Sequence, residues 1–180
     1  MELLAHTGHG LDGIWGGLIH PFTGLDHLLA MVAVGVLAAV VADRRVAWAT
    51  PAAFVGGMVV GGVAGLAGLA SGAVETAIAL SVVVLGGLIA ATAVPSLRTG
   101  AWMPVVALGF GAVHGLAHGA EVPASAAPAG YVAGFVLATI GLHLSGVLLG
   151  STVGRHALVR TVLAGAVSCA GVAMLVGAPI

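Results

Sequence analysis

Long uncharged apolar runs constrain this chain more than any other feature. Charged residues make up only 6% of the chain and the mean hydropathy is +1.20, so one soluble core could not bury this much apolar surface. Breaks at charges and at Pro/Gly clusters leave runs near the ~20 apolar residues that a helix needs to cross a bilayer. The sequence predicts an all-α polytopic membrane protein forming one transmembrane domain over 1–180, with six spans at about 21–42, 47–70, 74–95, 102–119, 126–150 and 156–177.

The five basic residues are all arginines, and they predict the orientation of these spans. Arg44 and Arg45 follow the first run, and Arg98 follows the third. Arg155 and Arg160 lie between or near the fifth and sixth runs. All five fall on one side, which the positive-inside rule assigns to the cytoplasm. Both termini are therefore expected outside the cytoplasm.

Composition also excludes several classes of protein. The chain has no lysine and a net charge of −1, so it offers no basic surface for a nucleic acid. It contains no G-x-x-x-x-G-K-[ST] loop, so nucleotide hydrolysis within the chain cannot drive transport. The opening MELLA is too short for a signal peptide. We expect a protein that is not an enzyme and carries no organic cofactor.

The stretch HPFTGLDHLLAM places ionisable side chains at the start of the first run. His20 and His27 are seven residues apart, two turns of a continuous helix, so they are expected on one face. Asp26 precedes His27 and can ligate from the side or fix the tautomer of a ligating histidine. Pro21 suits the first turn of the helix. Ionisable residues at such depth are costly and usually mark ion pathways.

A second polar cluster closes the fourth run in VHGLAHGAE. His114 and His118 are four residues apart and Glu121 follows three later, so one helix face carries all three. Because the fourth run points outward, this cluster should lie at the same level as Asp26 and His27. We therefore expect the two clusters to face each other around one cation.

Four further residues extend this arrangement toward both sides of the membrane. His6 and His9 precede the first run, where they could collect metal. Glu75 begins the third run at the outer face. His143 lies about 25 Å inward from residue 126, nearer the cytoplasm. For His143, a hydrogen bond to a neighbouring helix explains the sequence equally well.

The predicted ligands are imidazole nitrogens and carboxylate oxygens, without a thiolate cluster. These ligands suit nickel, cobalt, zinc or copper, whereas magnesium and calcium prefer all-oxygen sites. A charge of +2 crossing an inside-negative potential of ~100 mV gains ~4–5 kcal/mol, which is enough to drive import. The residues alone predict a borderline divalent transition metal as the partner, alongside the lipid bilayer.

Glycines four residues apart predict close packing of the second run against another helix. Gly57, Gly61 and Gly65 are the densest case, and small residues let membrane helices approach closely. Some of this surface could instead join two copies of the chain in a homo-oligomer.

The first polar stretch is similar to the HPxxGxDHxLAM signature of the HupE/UreJ family of hydrogenase/urease accessory membrane proteins. The residues that match it are His20, Pro21, Gly24, Asp26, His27, Leu29, Ala30 and Met31. HGLAHGAE and ATIGLHLSG resemble later blocks of the family, and Glu75 falls where the family carries an acidic residue. The resemblance runs nearly end to end. It implies a bacterial inner-membrane permease that imports Ni²⁺, or Co²⁺ in some relatives, for hydrogenase or urease maturation, with a signal peptide cleaved ahead of a histidine-containing mature end.

Three other functions stay open on sequence alone. A b-type haem protein would use histidines of the fourth and fifth runs as axial ligands. A zinc-dependent intramembrane hydrolase could use His114, His118 and Glu121, although HGLAHGAE lacks the glutamate after the first histidine of an HExxH motif. A non-transporting accessory protein or sensor would bind the metal and pass a signal to a partner.

Overall fold

The structure is a computed structural model, and it describes residues 8–94, 100–122, 128–152 and 156–177. Every regular element in these ranges is helical, which confirms the all-α class. The elements are α1 (Gly8–Ile19), a 3-10 turn (His20–Phe22), α2 (Leu25–Val40), α3 (Arg44–Leu66), α4 (Val74–Ala91), α5 (Met103–Glu121), α6 (Pro128–Thr152) and α7 (Ala157–Leu175).

Five helices, α3 to α7, are long and apolar enough to cross a membrane. Their ends lie within a few residues of the predicted runs; the run expected at 47–70, for example, is Arg44–Leu66. A sixth span exists only if the bent pair α1 and α2 counts as one. Large apolar side chains such as Trp48, Val60 and Leu148 are exposed on the outside of the bundle, where lipid would cover them.

The prediction that one continuous helix carries both His20 and His27 is wrong. The chain is already helical before His20, and the axes of the two helical pieces differ by 80° across a short break. Gly24 caps α2 in an extended conformation, with φ −111° and ψ 122°, and so interrupts the helical backbone. Pro21 does occupy a first-turn position, but in the 3-10 turn rather than in α2.

The predicted close packing of the second run is confirmed, and the helix that it packs against is α5. A Cβ added at Gly57, Gly61 or Gly65 would overlap the α5 backbone. Gly111 and Gly115 of α5 in turn leave room for the α3 backbone. The two helices therefore touch through their main chains along much of their length.

Three other helix pairs pack in the same manner. A side chain at Gly35 of α2 would meet the backbone of α6 at His143 and Gly146. A side chain at Gly86 of α4 would meet α7 at Ala164 and Ser168, and one at Gly17 of α1 would meet the backbone of α6. The described part of the bundle thus contains four closely packed pairs, α3 with α5, α2 with α6, α1 with α6, and α4 with α7.

The polar residues gather at one end of the bundle, where the 3-10 turn and the start of α2 meet the last turns of α5. We name this the histidine end; it contains His20, Asp26, His27, His118 and Glu121. At the opposite end, α2 stops and α3 begins with two exposed arginines, Arg44 and Arg45.

Candidate metal site

The break between α1 and α2 builds the first half of the site. The Thr23 hydroxyl donates to the His20 carbonyl oxygen at 2.7 Å, which closes the turn. Asp26 Oδ1 accepts from the backbone N–H of His27 at 2.8 Å and from His27 Nδ1 at 2.5 Å. A carboxylate only accepts, so the ring proton of His27 lies on Nδ1. Its Nε2 therefore presents a lone pair.

Gly24 is required by the way these two side chains fold back over the start of α2. A Cβ at this position would lie 2.6 Å from His27 Nδ1 and 2.7 Å from Asp26 Oδ1. Real Cβ atoms do not approach other atoms so closely, so any side chain here would displace the Asp26–His27 contact. Gly24 thus makes room for the Asp26–His27 contact as well as interrupting the helix.

The last turns of α5 supply the second half of the candidate metal site. His114 is wholly buried and donates from Nδ1 to the Phe110 carbonyl oxygen at 2.8 Å, so its Nε2 also carries a lone pair. His118 is buried, with Nδ1 3.6 Å from Glu121 Oε2. Among the described residues, Nε2 of His27, His114 and His118 has no hydrogen-bond partner.

The two halves meet at the histidine end. The ring centroid of His27 lies 4.3 Å from that of His118 and 5.4 Å from that of His114. His20 Nε2 lies 3.2 Å from Glu121 Oε2. The seven-residue helical repeat does not relate His20 to His27, because the helix is broken between them; the turn itself brings their rings to 6.2 Å.

One group of ligand atoms is close enough to hold a single metal ion in the part of the chain that the structure describes. Atoms of His20, His118 and Glu121 all lie within 4.8 Å of one another. The Nε2 atoms of His27, His114 and His118 are unpartnered, but these three residues do not form a second group as compact as this one. His118 belongs to the compact group and also lies beside the ring of His27.

Glu75 approaches the site from the side. It is exposed in the first turn of α4 and shares a cavity of about 170 Å³ with Asp26. The other residues that line the cavity are Thr76, Ala79, Met174 and Leu175. Two carboxylates therefore face one small space beside His27, which would attract a cation.

His143 stands apart from this cluster. It is buried on α6, and the ring of Phe54 packs against both it and His114. Its Nε2 has no hydrogen-bond partner in the described ranges, so a bond to a neighbouring helix does not account for it there. His6 lies outside the described residues, and His9 lies in α1 with its side chain undescribed. Their metal-collecting role stays a prediction.

Comparison with known proteins agrees with the sequence motifs. Residues 1–174 match the family described as HupE / UreJ protein. The chain belongs to the HupE/UreJ family. It is 46% identical over 179 residues to Protein HupE of Rhizobium leguminosarum bv. viciae, a match that covers 96% of this chain and 90% of that protein. No solved structure matches.

The family predicted from the motifs is thereby confirmed. This HupE/UreJ chain is a multi-pass membrane protein of a hydrogenase/urease accessory family, which is not a known enzyme family. The comparison does not name a transported ion, and the ligand roles of the histidines and carboxylates stay predictions.

Sequence reasoning missed the aromatic residues around the imidazoles. Phe135 of α6 lies 4.1 Å from His118 between ring centroids, and Tyr131 lies 5.8 Å from His20. The Tyr131 hydroxyl is buried with no hydrogen-bond partner in the part of the chain that the structure describes. The sequence did contain one indication of Tyr131: it is the only tyrosine in the chain, and it lies near the start of an apolar run.

Proposed function

We propose that this HupE/UreJ protein is a permease that imports Ni²⁺ from periplasm to cytoplasm across the bacterial inner membrane, for hydrogenase or urease maturation. One observation carries the proposal: the buried Nε2 atoms of His27, His114 and His118 have no partner among the described residues. Leaving a buried polar atom unsatisfied costs ~1–3 kcal/mol. Such lone pairs lie beside His20, His118 and Glu121, whose ligand atoms are close enough to hold one ion, and they favour a cation as the missing partner.

The chemistry of the ligands selects the substrate class. Imidazole nitrogen with carboxylate oxygen suits nickel, cobalt and zinc. The accessory role of the family in hydrogenase and urease maturation favours nickel among these, and the competing metals are distinguished in the test below. A nickel chaperone or maturation protein would receive the ion in the cytoplasm.

Orientation follows from the arginines. The positive-inside rule assigns the end with Arg44 and Arg45 to the cytoplasm, so the histidine end faces the periplasm. Glu75 and Glu121 would attract the hydrated ion, and the imidazoles would replace its water. The ion would then move toward His143, driven by the membrane potential. Several stations of modest affinity suit such passage, because a single tight site would trap the ion.

The alternative of a b-type haem is not favoured. The ring of Phe54 packs against both His114 and His143, at 5.4 Å from each ring. A porphyrin held by imidazoles from α5 and α6 would have to displace it.

The test is uptake of radiolabelled Ni²⁺ into liposomes that contain only this protein, with an inside-negative potential. We expect potential-dependent uptake, its loss in His118→Ala, and its retention in His156→Ala. His156 is a matched control because it is an exposed imidazole at the N-terminus of α7, far along the chain from either cluster. Excess unlabelled Co²⁺ or Zn²⁺ ranks the competing metals.

Two outcomes would contradict the proposal. If the protein binds Ni²⁺ but its liposomes accumulate no more than empty ones, it is a non-transporting binder or sensor. If His118→Ala transports normally, the site is elsewhere.

A further inference from the structure

Phe54 of α3 packs against one histidine of α5 and one of α6. It is wholly buried. Its ring centroid lies 5.4 Å from that of His114 and 5.4 Å from that of His143, with the ring planes inclined at 54° and 82°. Phe54 thus links the imidazoles near the histidine end to the deeper imidazole on α6.

Successive rings in this part of the bundle differ in whether they offer a ligand atom to a cation. From His118 through His27 to His114, successive ring centroids lie 4.3 and 5.4 Å apart. Each imidazole carries an unpartnered Nε2. Phe54 follows and offers no lone pair. Beyond it, His143 again has an unpartnered Nε2. Of these five rings, Phe54 alone offers no ligand atom to a cation.

The surroundings of Phe54 indicate which part of it can move. Its backbone lies against Gly111 of α5 so closely that a Cβ there would overlap it, which fixes the main chain. On the side of His143, a groove of about 530 Å³ runs between α2, α3 and α6. Pro51 and Val55, neighbours of Phe54 on α3, line this groove together with His143. Rotation of the side chain is thus the available motion.

We propose that Phe54 is the gate of the pathway, an apolar ring that closes the passage between the histidine end and His143 until its side chain rotates. Apolar constrictions block ions because water withdraws from them, and an ion cannot enter without water or other ligands around it. The identity of the ion as Ni²⁺ depends on the function proposed above. The barrier at Phe54 does not depend on it.

The test measures access to position 143 without any metal. In a Cys169→Ala background, which removes the one native and exposed cysteine, His143→Cys supplies the only thiol. A membrane-impermeant cationic thiol reagent is applied from the histidine end of the protein in liposomes. We expect slow labelling with Phe54 present, labelling about tenfold faster or more with Phe54→Ala, and an intermediate rate with Phe54→Leu.

Ile89→Ala is the matched control. It removes a wholly buried side chain from α4, a helix that carries none of these histidines, and should leave the labelling rate unchanged. An equal increase in Ile89→Ala would show general loosening of the bundle and would overturn the assignment.

Two further results would overturn it. One is rapid labelling with Phe54 intact. The other is unchanged labelling in a folded, monodisperse Phe54→Ala protein; if that variant does not fold, Phe54→Leu decides, and an unchanged rate there overturns the gate. Nickel uptake is scored separately. If uptake fails but labelling depends on Phe54, the permease function is refuted and the gate stands. If uptake is normal but labelling does not depend on Phe54, the gate is refuted and the permease function stands.

Discussion

The contact between Asp26 and His27 orients the Nε2 lone pair that we propose binds the metal, and Asp26→Asn removes the charge that supports this orientation. Hydrogen bonds to charged groups contribute ~1.5–3 kcal/mol and neutral ones ~0.5–1.5 kcal/mol, so the change costs ~1–1.5 kcal/mol. That is about 5- to 10-fold in affinity, and the lost attraction between carboxylate and cation adds to it. We therefore expect the Kd for Ni²⁺ to rise about 10- to 100-fold, the range typical of such supporting carboxylates.

Isothermal titration of the detergent-solubilised protein with Ni²⁺ measures this change. Folding should be preserved, because the asparagine oxygen can still accept from the His27 backbone N–H. Asp43→Asn is the matched control: Asp43 accepts from the Arg45 backbone N–H at 2.7 Å, at the opposite end of the bundle, and its loss should not change the Kd. A Kd for Asp26→Asn within about twofold of the native protein would refute the argument.

Three further predictions follow from the same geometry. Gly24→Ala should weaken Ni²⁺ binding in the same titration, because its Cβ displaces the Asp26–His27 contact, whereas Gly72→Ala, with nothing within 4 Å, should bind normally. Gly61→Ala should lower the free energy of unfolding by ~1–3 kcal/mol through overlap with α5, measured by thermal unfolding in detergent, while its neighbour Gly62→Ala, in ordinary contact at 3.7 Å, should not. Uptake into liposomes should fall as the external solution is made more acidic, because ligating imidazoles must be neutral and protonation competes with the metal; a rate independent of pH would contradict histidine ligation.

The spacing of residues along one helix was enough to predict that the candidate ligands of α5 lie together. His114, His118 and Glu121 lie on one face because the helix persists to its predicted end, and this follows from the helical repeat alone. Their approach to His27 could be anticipated from matched depth, since both clusters occur at the same end of their runs.

The break after α1 could not be inferred in the same way. Pro21 is compatible with the start of a long helix, and the need for glycine at position 24 arises from contacts that its neighbours make only in the folded chain. Helix α1 itself holds five glycines in twelve residues, a composition that favours a loop. Close packing of Gly17 against α6 compensates for that composition, which is a tertiary effect. Phe54 looks like any lipid-facing phenylalanine until its neighbours are known.

The glycine-packed helices form three groups, α3 with α5, α6 with α1 and α2, and α4 with α7, and this grouping has a mechanical consequence. Helices that touch through their backbones cannot slide apart easily, so each group behaves as a rigid block. One block carries His114, His118 and Phe54, a second carries His27 and His143, and the third carries Glu75. The candidate ligands thus belong to different rigid blocks. Even a small separation of the first two blocks would both widen the proposed path and weaken the binding of an ion at the proposed site.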